Sequence, residues 1–174
     1  MERNKFLFLG AAVAAAAEPV LATAASAAAG SGLPPGIHVD IPVALKQANV
    51  AMNMEHLAFA GDMPVGISHA GLMMNHFDQT STPYNMIAVF HGPAGYMLLD
   101  DAAYDNVRKT HTGNPYKAPL ANLVSRGVKL EMCAMTMKAF GWTNAELLPN
   151  VKVNAGAEVR LVQLAQMGYG IVHP

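Results

Sequence analysis

Between Val128 and Met132 apolar and polar side chains alternate, with Val128, Leu130 and Met132 set against Lys129 and Glu131, the period of two of a short strand. Cys133 closes that strand. Ala134, Met137, Lys138 and Phe140 then read as a short helix, which Gly141 ends by taking the left-handed conformation open to glycine. Residues 49–54 predict a first strand with Val50, Met52 and Met54 on one face. Pro64 is expected to open a helix at its first position behind a weak Asp62 cap, with Ala70, Met73, Met74 and Phe77 facing the core as far as Asp78. Residues 86–90 are continuously apolar, as in a strand buried on both faces.

The same reading carries through the rest of the chain. Residues 42–47 are expected to form one helical turn, and residues 96–99 a short helix after the His91-Gly92-Pro93-Ala94-Gly95 segment. Residues 100–116 read as polar, with a turn at 112–115. Residues 118–126 read as a helix stopped by Gly127. Thr143 and Glu146 have capping-box spacing for a short helix ended by Pro149. Residues 151–153 form a short strand. Ala157, Leu161, Leu164 and Ala165 recur at helical spacing up to Gly168, and residues 169–172 make a last strand. Strands thus alternate with helices. That order predicts a three-layer α/β/α domain around a mostly parallel sheet of about five strands.

The amino end follows another pattern. Arg3 and Lys5 precede an apolar run over residues 6–17, and small residues offer A-x-A cleavage sites at 25–27 and 27–29. That is the layout of a secretory signal peptide. Arg3-Asn4-Lys5-Phe6-Leu7 also resembles a twin-arginine signal lacking its second arginine, so the expected route is Sec or a degenerate twin-arginine signal. Residues 1–29 are read as signal peptide, 30–39 as a flexible lead-in, and 40–174 as one domain. The mature protein is expected in the periplasm or secreted, with no membrane segment left after cleavage.

Composition narrows the choice of function. The 174 residues are 52% hydrophobic with a formal net charge of −1, and no basic run offers a footprint for nucleic acid. One cysteine excludes an intrachain disulfide and a Cys-rich zinc site. No G-x-S-x-G elbow, Walker loop or G-x-G-x-x-G appears.

Cys133 then becomes the leading candidate. At the carboxyl end of a strand and the amino end of a helix it lies on the edge where open α/β sheets bind ligands, and helix N–H groups favour a thiolate. A free cysteine is as commonly a small buried hydrophobe, so both readings stand. His91 also follows a strand directly and is the candidate base for Cys133. Gly92 and Gly95 would let backbone approach a ligand. As a rival, His69, Met73 and His76 stand at i, i+4 and i+7, and imidazole with thioether suits copper, although methionine also fills core gaps.

Three segments, FHGPAGYMLLDDAAY (residues 90–104), EMCAMTMKAFGW (residues 131–142) and LLPNVKVNAGAEVRLVQLAQMGYGIVHP (residues 147–174), resemble the DsrE/DsrF-like family of sulfur-relay proteins. The resemblance implies a small flavodoxin-like α/β fold and a homo-oligomer, trimeric or hexameric. In the sulfur-carrying members a cysteine at the position of Cys133 accepts sulfane sulfur as a persulfide. The expected function is therefore an exported sulfur-handling protein, a persulfide carrier or thiol sulfurtransferase, whose partner is a sulfane-sulfur donor or acceptor, small molecule or protein. No organic cofactor is implied. The alternative is a non-catalytic periplasmic copper-binding or scaffold protein.

Overall fold

The computed structural model describes residues 34–174, so the expected signal peptide lies outside the described residues. Residues 34–42 are exposed throughout and hold no helix or strand. The remainder, Val43–Pro174, is the α/β unit.

In chain order it comprises β1 (Ala48–Met54), β2 (Phe59–Ala60), β3 (Met63–Pro64), α1 (Val65–Gln79), β4 (Tyr84–Phe90), a 3-10 turn (Gly92–Leu98), α2 (Asp101–Arg108) and α3 (Lys117–Ser125). There follow β5 (Lys129–Cys133), α4 (Ala134–Phe140), a second 3-10 turn (Asn144–Glu146), β6 (Lys152–Asn154), α5 (Ala157–Gln166) and β7 (Gly170–Val172). Five strands make one parallel sheet in the order β6-β5-β4-β1-β7. The expected α/β fold with a five-stranded parallel sheet is what the chain adopts. Its strand order has a character of its own. Four strands step in one direction and β7 returns to the far side of β1, whereas the flavodoxin order, 2-1-3-4-5, reverses elsewhere.

That order decides how the two faces are covered. Parallel crossovers are right-handed, so three successive steps in one direction put their helices on the same side. Side chains from α1, α2, α3 and α4 accordingly join one large core with Val50, Met52, Met54, Met86, Ala88, Phe90, Leu130 and Met132. The single backward step, β6 to β7, sends α5 to the opposite face. There Ala157 and Leu164 pack on Ala51, Ile87, Val89 and Cys133. Among the described residues the sheet is therefore covered by four helices on one side and one on the other. Met52, Met74, Met86, Met97 and Met132 are fully buried, filling the larger core as flexible thioethers do.

Local chemistry mostly acts as expected. Gly141 ends α4 at φ 74, and Thr143 and Glu146 make the reciprocal capping box, with the Thr143 N–H donating to Glu146 Oε2 at 2.7 Å. Four expectations are corrected. Residues 42–47 make no helical turn. Pro64 lies outside α1, in β3, where it pairs with Phe59. Its extended φ −59, ψ 129 suits a strand, and Asp62 makes no cap. The stretch read as polar holds α2, opened by Asp100, whose carboxylate accepts from the Ala103 N–H at 2.8 Å. Only Ala103 and Tyr104 of that helix are buried, too narrow an apolar stripe to stand out along the chain. Gly95 serves packing within the fold, since a Cβ there would lie 3.0 Å from Thr136 and 3.1 Å from Trp142.

Candidate functional site

Because side chains alternate along a strand, the residues out of phase with the large core all project toward α5. On β1 that set is Ala51 and Asn53, on β5 Glu131 and Cys133, and on β4 Ile87 and Val89 with His91 just beyond. The register pairs Phe90 with Met132 and Cys133 with Asn154, so one further step places His91 opposite Cys133 on the neighbouring strand. Adjacent parallel strands run about 5 Å apart. Likewise Met52 pairs with Val172, which places Asn53 opposite His173. A polar row thus crosses the carboxyl edge of the sheet beneath the first turn of α5.

Cys133 is 3% exposed and its sulfur accepts a hydrogen bond from the Ala157 N–H at 3.4 Å. Ala157 is the first residue of α5, and its cap, Gly156, supplies no side chain. The sulfur therefore meets the amino end of a ten-residue helix, as the sequence suggests, but a different helix. Cys133 also caps α4 by position, yet its side chain makes no capping bond there.

His91 is buried, and both ring nitrogens have neighbours. Nε2 lies 2.5 Å from Asn53 Oδ1, and Nδ1 lies 3.7 Å from Glu158 Oε1 on the first turn of α5. The Asn53 amide continues to His173 Nδ1 at 3.0 Å. Cys133 and His91 are thus brought to one edge and one face, with no hydrogen bond between them among the described residues. Asn53, Glu158 and His173 complete the surroundings. The sequence reading missed Asn53 and His173 as site residues; their places at or just past strand ends are the one signal that could have found them. Glu158 had no signal beyond its place in a helix.

Beside the row, Glu131 is buried and accepts from Arg160 through both carboxylate oxygens, Nη2 to Oε1 at 2.7 Å and Nε to Oε2 at 2.9 Å. Those hydrogen bonds raise the Arg160 guanidinium above its ordinary value, against the opposing effect of burial. Asn154 Nδ2 donates to the same carboxylate at 3.1 Å. These residues with Lys152, Gly156 and Gln163 line an open groove of about 570 Å³ between β6 and α5. Cys133 is not among the groove's lining residues, but its register partner Asn154 is.

The rival trio is divided by α1. His69 and His76 are exposed, while Met73 is half-buried against the core. Among the described residues no group of three or more His, Cys, Asp or Glu side chains is placed to hold a metal ion.

The DsrE/DsrF-like family model matches residues 42–174. None of the curated proteins matches. Among solved structures the chain resembles a protein of unknown function from Methanobacterium thermoautotrophicum, with a TM-score of 0.60 and 17% sequence identity, over 74% of this chain and 100% of that one. At that identity the likeness speaks to the fold. With the family model covering every strand and helix of the α/β unit, including Cys133 and the whole polar row, this chain belongs to the DsrE/DsrF-like family.

Proposed function

We propose that this is an exported sulfur-handling protein in which Cys133 carries sulfane sulfur as a persulfide, or passes it on as a thiol sulfurtransferase. Family membership suggests a role related to sulfur relay. The observation that carries the finer reading is the placement of Cys133: a strand-end sulfur that accepts the first N–H of α5 beside an open groove. The thiolate is the nucleophile toward a sulfane sulfur. With thiosulfate, a new S–S bond forms between Sγ and the outer sulfur, the donor S–S bond breaks, and sulfite leaves with the electron pair. Cys133 is the only cysteine, so no resolving partner in the same chain competes for the persulfide.

Sγ is almost covered, so loading requires the first turn of α5 to move aside or a donor to enter from the groove. Incubation with polysulfide or thiosulfate followed by intact mass measurement tests the reading. An adduct of about 32 Da, one sulfur atom, is expected on the native chain and absent from Cys133→Ala. No adduct, or one that persists in Cys133→Ala, overturns it.

The mature chain is expected outside the cytoplasm, in the periplasm or secreted, as a trimer or hexamer. The support for assembly is the apolar surface left on the helices, Leu72 on α1 and Val159 and Val162 on α5. A monomer mass by light scattering at micromolar concentration overturns it.

A further inference from the structure

We propose that Asn53 is a positioning residue that sets the tautomer of His91 and couples it to His173, leaving His91 Nδ1 as the proton-accepting nitrogen that faces the first turn of α5. The inference rests on the sulfur-transfer reading for its purpose, though not for its geometry.

A carboxamide has one accepting oxygen and two N–H donors, so its orientation imposes opposite demands on two neighbours. Asn53 Oδ1 faces His91 Nε2 at 2.5 Å, which requires the proton on Nε2. Its Nδ2 faces His173 Nδ1 at 3.0 Å, which requires a lone pair there. Asn53 and His91 are both buried, so neither can trade this partner for water without cost. In neutral His91 the remaining lone pair is then on Nδ1. That nitrogen faces the first turn of α5, where Glu158 Oε1 lies 3.7 Å away and the preceding residue donates to Cys133 Sγ. Glu158 is largely exposed and stands ready to pair with the imidazolium that forms.

The arrangement suits the second half of sulfur transfer. An acceptor thiol gives its proton to Nδ1, and the resulting thiolate attacks the outer sulfur of the Cys133 persulfide. The S–S bond breaks, Sγ leaves with the electron pair, and the imidazolium returns its proton to Sγ. The acceptor departs as a persulfide, and no outside oxidant or reductant is needed.

Ring-nitrogen chemical shifts of histidine in the intact protein read the tautomer directly, without any sulfur chemistry. The expected neutral form of His91 carries its proton on Nε2, and Asn53→Leu is expected to let Nδ1–H appear while shifting His173. Asn53→Asp keeps an oxygen for His91 and offers His173 no donor, so it is expected to preserve the first signal and change the second. A native His91 protonated on Nδ1, or an Asn53→Leu chain with both rings unchanged, overturns the proposal. In transfer from persulfidated Cys133 to a small thiol, Asn53→Leu is expected to be slower by on the order of tenfold, with loading by polysulfide retained. Equal transfer rates overturn the functional part. A native chain that never loads removes the sulfur reading and leaves the tautomer result standing.

Discussion

The backbone N–H of Ala157 donates to the sulfur of Cys133 across 24 residues, joining the start of α5 to the end of β5. This contact can be deleted without deleting the helix. Proline is accepted at the first helical position, and Gly156 before it already has the extended backbone that a following proline demands, with ψ 132. Ala157→Pro is expected to slow alkylation of Cys133 by iodoacetamide on the order of three- to tenfold, the worth of about 1 kcal/mol in one hydrogen bond. Circular dichroism should keep its helical signal. An unchanged alkylation rate in a folded variant would show that the N–H does nothing for the sulfur.

Arg160 and Glu131 should behave as one unit. Removing Arg160 leaves a carboxylate buried with only Asn154 as a donor, whereas removing both charges leaves nothing unpaired. Arg160→Ala is expected to destabilise the fold by about 3 kcal/mol, and the Glu131→Leu/Arg160→Leu pair by much less. Denaturant midpoints decide the matter. Arg160→Lys should recover little, because an ammonium cannot span both oxygens.

The tyrosine cluster sets an alkaline limit. Tyr96, Tyr104 and Tyr116 meet with ring centroids about 6 Å apart, and Arg108 lies over Tyr96. Burial, then the hydrogen bond to Tyr96, pushes Tyr116 up to about 12, and burial raises Tyr104 as well. Below pH 10 folded and unfolded chains both keep the Tyr116 proton, so its contribution is fully present. Between about 10 and 12 the unfolded chain releases that proton while the folded chain holds it, and stability falls through this window. Melting temperature followed against pH should decline there, and less steeply in Tyr116→Phe. Equal slopes would contradict the assignment.

An acid limit comes from the loop after α2. Asp105 accepts from the Thr110 hydroxyl at 2.7 Å and from the Gly113 and Thr112 N–H groups at 3.0 and 3.2 Å, and the Thr110 bond leads in holding its carboxyl below the ordinary range. A depressed value means that the stabilisation is present above about pH 4 and is lost as pH falls through the folded value. Limited proteolysis of residues 109–114 by an acid protease is expected to accelerate over that range. In Asp105→Ala the loop should be cut readily at every pH tested.

The strands, their inward faces and the edge position of Cys133 were legible in the residues themselves. Alternation of Val50, Met52 and Met54, or of Leu130 and Met132 with Glu131, is a local geometric consequence of the pleat and needs no partner. The carboxyl-edge placement of His91 and Cys133 followed from the same logic, since parallel strands end on one side. What lay beyond that reading was decided by chain reversal. The return of β7 past β1 places α5, alone among the described helices, on the second face, and with it Ala157 against the sulfur, Arg160 against Glu131 and Glu158 beside His91. These pairs lie 24 to 67 residues apart, with no periodicity to join them. The same reversal aligns His173 with Asn53, turning a residue that read only as the end of a strand into the bridge between two histidines. Periodicity reports which face a residue occupies, because that depends on its neighbours in the chain. Which residues share that face depends on strand order, and strand order is settled only when the whole sheet closes its core.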